Sequence, residues 1–136
     1  MTAPQAHFAY FLAQLSPRDL AYTHVLEGDK TAKAAGVDYR ALRCAFTGTY
    51  IANNGYNLPR AQKTLNSGHA HMVAFGTPFI ANPDLVRRYR DDLPLAAADP
   101  TTFYGGGATG YTDHPYHPGD ENAAPERTAR AVPSAL

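Results

Sequence analysis

Three segments of the sequence carry residue types that chemistry can use. The first is Ile51-Ala52-Asn53-Asn54-Gly55-Tyr56, and the second is Phe75-Gly76-Thr77-Pro78-Phe79-Ile80. Asn and Gly tolerate positive φ, so both segments predict sharp turns. Backbone N–H groups in such turns can hold an oxyanion without any charged side chain. The plainer alternative is that glycine only makes the turns. The third segment runs from Phe103 to Pro115 and holds Tyr104-Gly105-Gly106-Gly107-Ala108-Thr109-Gly110-Tyr111. Its glycines let the backbone pass close to a ligand, with Tyr104 and Tyr111 able to stack or hydrogen-bond. A flexible exit loop is the alternative there. A dinucleotide fingerprint at Gly105 to Gly110 is excluded, because no strand leads in and no helix follows.

Other polar residues predict less. His69-Ala70-His71 and the pair His114 and His117 lie in unrelated segments, with Asp113 as the nearby carboxylate. A zinc site needs three or four ligands with supporting hydrogen bonds, so no metal is expected. His69 and His71 are expected at a helix–strand junction, and His24, inside the first strand, as a hydrogen-bonded core histidine, with pointing into a barrel as the alternative. Cys44 has no flanking base and is expected as a small buried hydrophobe rather than a nucleophile. Arg87, Arg88 and Arg90 with Asp91 and Asp92 read as a solvated helix end, suited to the negative end of the helix dipole.

The elements that must position these residues follow a strand, loop, helix rhythm. Leu20–Leu26, Thr49–Ala52 and Met72–Phe75 are short apolar runs without strict alternation, as expected of parallel strands buried on both faces. Helices are expected over about Pro4–Leu15, with Phe8, Phe11, Leu12 and Leu15 inward, and over Tyr39–Phe46. Pro59–Ser67 has proline in its first turn and Gly68 beyond its end, the usual helical asymmetry. Asn82-Pro83-Asp84 reads as an N-cap, an N1 proline and an acidic first turn, opening a helix to about Arg90 with Leu85, Val86 and Tyr89 inward. From Tyr116 to Leu136 large apolar residues are nearly absent, which predicts a disordered tail after a domain of residues 1–115.

The whole chain has 136 residues, 44% of them hydrophobic and 18% charged, with twelve basic and twelve acidic side chains. That length suits one domain. A net charge of zero argues against nucleic acid or an anionic membrane surface as partner. Apolar runs fall far short of the roughly 20 residues of a membrane span. Met1 to Leu15 lacks a basic region before its apolar residues, so no signal peptide is expected. A single cysteine excludes an intrachain disulfide and fits a reducing cytoplasm.

Strands alternating with helices at about 30 residues per βα unit imply α/β architecture with a parallel sheet. A closed barrel of eight such units takes ~250 residues, whereas only three strands are found here. Four strings, LAYTHVLE, ALRCAFTGTYIANNGY, VAFGTPFIANPDLVRRYRDDLPL and TFYGGGATGYTDHP, in this order and spacing resemble the C-terminal part of the Old Yellow Enzyme family of FMN-dependent ene-reductases. The resemblance covers about Phe8 to Pro115. It implies the last three βα units of a TIM (β/α)8 barrel. By position it puts the FMN phosphate between Asn54-Gly55 and Phe75-Gly76-Thr77, and Tyr104 on the substrate side of the flavin. It implies reduction of a small activated alkene, with NAD(P)H as hydride donor. Two positions depart from the family, which usually has glycine at Asn54 and an arginine on the phosphate at Thr77. The family's catalytic donors precede this segment, so the resemblance assigns no catalytic residue here. Two expectations follow: part of an ene-reductase site, or a non-catalytic remnant or subunit that binds flavin weakly or pairs with a complementary barrel fragment or with itself.

Overall fold

A computed structural model describes residues 4–28, 37–105 and 107–119. The chain forms two compact units, Met1–Gly76 and Thr77–Leu136. In the first, α1 (Pro4–Leu15) precedes β1 (Tyr22–Leu26), α2 (Tyr39–Cys44), β2 (Thr49–Asn53), α3 (Leu58–Asn66) and β3 (Met72–Val73). The three strands form one parallel sheet in the order β1-β2-β3, with His24 beside Ile51 and Ile51 beside Met72. Helices α2 and α3 start where a polar side chain satisfies free backbone donors. The Asp38 carboxylate accepts from the N–H groups of Arg40 and Ala41 at 2.9 and 3.0 Å, and the Asn57 side-chain Oδ1 accepts from Arg60 N–H at 3.0 Å. Gly68, at φ +68°, turns the chain after α3.

Among the described residues the sheet is buried on one face only, which corrects the expectation of two. Along β2, Tyr50 and Ala52 are buried and their neighbours half-buried, while β1 alternates between exposed and half-buried residues. Alternation arises because successive side chains leave opposite faces of a strand. Tyr50, Ala52, Tyr56, Ala61 and Ala70 pack together, with Val25, Val73 and Phe75 against them. Leu12, Leu42 and Phe46 form a second cluster, each buried apolar side chain contributing roughly 1.5–3 kcal/mol. On the other face Tyr22, His24, Leu26 and Met72 are exposed. His24 is therefore not a core histidine. Phe8 and Phe11 are also exposed, leaving Leu12 as the buried anchor of α1, and Cys44 is exposed rather than buried.

In the second unit, α4 (Thr77–Ala81) and α5 (Leu85–Arg90) precede a loop-rich segment with one short 3-10 turn, Pro100–Thr102. Asn82 does not cap α5. It is fully buried, its Nδ2 donating to the carbonyls of Pro78 and Ala96 at 2.8 and 3.0 Å while its Oδ1 accepts from Ala96 N–H at 2.8 Å. Three good bonds inside the fold outweigh one cap at its edge. Arg88 is likewise buried instead of solvated, donating from Nε to Asp84 Oδ1 at 2.6 Å. Leu85 points inward as expected, but Val86 is exposed. His117 N–H donates to Asp84 Oδ2 at 2.8 Å. Residues 120–136, most of the expected tail, lie outside the described residues.

Candidate functional site

Both glycine turns leave neighbouring parallel strands at the same end of the sheet. After β2, Asn54 takes φ +100° and Gly55 φ +64°. The left-handed region costs a residue with a Cβ about 1–3 kcal/mol, so something must hold Asn54 there. Its N–H donates to Asn53 Oδ1 at 2.6 Å, and its Nδ2 donates to the carbonyls of Glu27, at 3.2 Å, and Gly28. The amide side chain thereby ties the end of β2 to the end of β1. After β3, Ala74 N–H donates to Ala52 O at 2.9 Å and Phe75 packs on the core. Gly76 then lies exposed, with nothing within 4 Å of the place a Cβ would take. The N–H groups of Gly55 and Gly76 meet no backbone acceptor among the described residues. Gly55 and Gly76 are both exposed.

Beneath these turns lies a carboxylate that the sequence reasoning passed over. Glu27 follows β1 and is buried, with Oε1 accepting from the Tyr50 hydroxyl at 2.9 Å and Oε2 from the Tyr56 hydroxyl at 2.8 Å. His69 Nε2 lies 2.7 Å from the same Oε1. A buried carboxylate is tolerable only when donors of this kind surround it. Burial first, and then the charge of Glu27 and its bond, push the Tyr50 phenol far above its ordinary range. Tyr56 is raised too, by burial and then by the bond to Glu27. Both phenols stay protonated donors. Arg60 adds an outer brace, donating from Nη1 to the carbonyls of Asn54 and Gly55 at 3.1 and 3.3 Å, its guanidinium 4.2 Å from the Tyr56 ring centre. The one sequence signal for this network was a lone acid ending the apolar run of β1.

The remaining candidates separate. Thr77 is exposed and opens α4 of the second unit. Tyr104 is 99% exposed, its ring edge-on to Phe103 at 6.3 Å. Gly110, at φ +71°, is demanded by packing: an added Cβ would lie 2.6 Å from Thr102 Oγ1. His69 and His71 do stand between α3 and β3 but have different partners, since His71 Nδ1 accepts from Tyr50 N–H at 2.9 Å. Among the described residues no group of three His, Cys, Asp or Glu side chains is placed to hold a metal. Among them, too, no helix is long and apolar enough to cross a membrane.

Known proteins resemble this chain in both sequence and fold. No family model matches it. A Leishmania infantum protein named as a probable flavin mononucleotide-dependent alkene reductase is 40% identical over 113 residues, 83% of this chain and 31% of its own. A 12-oxophytodienoate reductase-like protein of Solanum lycopersicum is 34% identical over 113 residues, 82% of this chain and 31% of its own. Among solved structures, the old yellow enzyme from Trypanosoma cruzi superposes with a TM-score of 0.78 at 37% identity, covering 84% of this chain and 30% of its own. Morphinone reductase gives 0.78 at 40% identity, covering 85% and 32%. The chain therefore spans about a third of the length of these relatives. With the parallel α/β sheet, the paired turns and matches of this identity across most of its length, this chain belongs to the old yellow enzyme family.

Proposed function

We propose that this chain forms the part of an FMN-dependent alkene reductase that receives the flavin phosphate, on the Asn54-Gly55 and Phe75-Gly76 turns. The substrate is a small activated alkene and the hydride donor NAD(P)H. The observation that carries this reading is the pair of exposed glycine turns leaving adjacent parallel strands at one end. Their residues fit a phosphate: Gly55 and Gly76 are exposed, and the space beside Gly76 admits a ligand to the backbone. Bound FMN would supply the hydride chemistry. The chain's own residues bind and orient. Glu27, Tyr50 and Tyr56 fix the strand ends from which the turns project, and Phe75 anchors the second turn in the core. Tyr104 is the substrate-contacting residue of the second unit, and no residue of the chain is assigned hydride or proton transfer. The test is the visible spectrum of the purified chain during titration with FMN and with riboflavin. FMN preferred over riboflavin supports the reading; equal or absent binding of the two removes it.

A second reading is favoured by the exposed sheet face. Tyr22, Leu26 and Met72 lie there in the open, and β1 and β3 are both edge strands. Apolar faces and free edges of this kind seek a partner. In this reading the chain is a non-catalytic subunit that pairs with a complementary barrel segment. A sharply melting, monodisperse monomer in sedimentation would remove it.

A further inference from the structure

Arg60 is the third residue of α3, and its side chain turns back toward the turn that precedes the helix. Its Nη1 donates to Asn54 O at 3.1 Å and to Gly55 O at 3.3 Å, and its guanidinium lies 4.2 Å from the Tyr56 ring centre. Tyr56 is itself fixed, through its hydroxyl, to Glu27. The guanidinium is therefore held between a buried anchor and two consecutive carbonyls. Each trans peptide points its C=O and the next N–H in opposite directions. With the carbonyls of Asn54 and Gly55 turned to Arg60, the N–H groups of Gly55 and Tyr56 face the other way. A cation on the carbonyl edge also polarises these peptides and strengthens their N–H groups as donors. Thr77, the residue after Gly76, brings no charge.

We propose that Arg60 is a positioning residue for an oxyanion on the Asn54-Gly55 turn, acting from the carbonyl edge and supplying the positive charge that Thr77 lacks. The inference rests on the reading of that turn as the flavin-phosphate site. It concerns the dianionic phosphate and leaves the isoalloxazine ring untouched. Direct contact is not required, because a unit charge within one Debye length of about 8–10 Å still favours an anion.

The test compares the parent chain with Arg60→Gln and Arg60→Lys. FMN and riboflavin are titrated at two salt concentrations, and inorganic phosphate is titrated while the amide signals of Gly55 and Gly76 are followed by NMR. Arg60→Gln should weaken FMN and phosphate by about three- to tenfold, less than the loss of a direct charge-assisted bond because the charge acts through the turn, and leave riboflavin unchanged. Arg60→Lys should recover part of the loss, since it keeps the charge without the guanidinium's planar fork. Higher salt should narrow the gap between parent and Arg60→Gln. A merely structural role would lower FMN and riboflavin together, and that result overturns the proposal. FMN and phosphate bound equally by parent and Arg60→Gln also overturns it, while the phosphate reading stands. A parent that does not distinguish FMN from riboflavin defeats the phosphate reading itself, and the role of Arg60 with it.

Discussion

Tyr50 and His71 bind each other twice: Tyr50 N–H donates to His71 Nδ1 at 2.9 Å, and His71 N–H donates to Tyr50 O at 3.0 Å. The imidazole thus supplies an acceptor that the short β3 does not offer from its backbone. Tyr50 has no exposed surface, so losing this acceptor strands a donor away from water. His71→Ala should cost about 1–3 kcal/mol, the range for an unsatisfied buried group. His71→Asn, which keeps an acceptor oxygen near the same place, should recover part of it. Urea unfolding of the three proteins decides this, and equal midpoints would mean that water replaces the ring.

Glu27 is the hub of the first unit. Glu27→Gln keeps the shape but gives Tyr50, Tyr56 and His69 one neutral acceptor where the carboxylate had two charged oxygens. Hydrogen bonds to a charged group contribute about 1.5–3 kcal/mol each, so a loss near the upper end of that range is expected. The raised phenols add a pH signature. A group whose folded pKa is raised contributes stability that is complete below its unfolded value, about 10 for tyrosine, and is lost as pH rises through the folded value. Denaturation at rising pH should show an alkaline loss in the parent that is smaller in Glu27→Gln.

Asn54 sets backbone strain against side-chain bonds. Glycine removes the strain at φ +100° but forfeits the amide's bonds to the Glu27 and Gly28 carbonyls. Asn54→Gly should therefore stay within about 1 kcal/mol of the parent, since the two effects are of similar size. Asn54→Ala keeps the strain and loses the bonds, and should cost about 1–3 kcal/mol. Thermal melts that rank alanine above glycine would contradict this balance.

The buried pair of Asp84 and Arg88 should make the second unit sensitive to acid. Burial works against a charged Asp84, but the His117 N–H and the Arg88 guanidinium outweigh it and hold the carboxyl below its usual range. A lowered carboxyl contributes stability that is present above the unfolded value, about 3.9, and is lost as pH falls through the folded one. Amide signals of Leu85 and Ala96 followed into acid should therefore broaden or shift below about pH 4. Asp84→Asn strands a buried cation, at about 3–5 kcal/mol, and should remove that acid transition. An unchanged acid profile in the variant would assign the transition elsewhere.

Thr77 tests the phosphate reading from another side. Thr77→Arg should tighten FMN roughly ten- to a hundredfold, from the 1.5–3 kcal/mol scale of a charge-assisted bond. Riboflavin should gain little, and salt should shrink the difference. Equal gains for both flavins would leave Thr77 an ordinary turn residue.

The sequence by itself determined the three strands, the helix between β2 and β3, and the two turns that follow those strands. These are local properties: apolar runs, a proline near a helix start, and residues that accept positive φ. It also carried the family resemblance, because the strings TYIANNGY and VAFGTPFIANPDL keep their order and spacing along the chain. What each polar side chain does was decided only by the tertiary structure. Glu27, Tyr50, Tyr56 and His69 are separated by up to 42 positions along the chain, and their meeting depends on parallel pairing of strands. Asn82 carried a strong capping signal, yet burial gave its amide three partners and left the cap unmade. Arg88 looked like one charge among several at a helix end until Asp84 was found beside it in the interior. Local patterns state which backbone shapes are cheap. Which buried donors and acceptors must satisfy one another depends on neighbours that only folding brings within 3 Å.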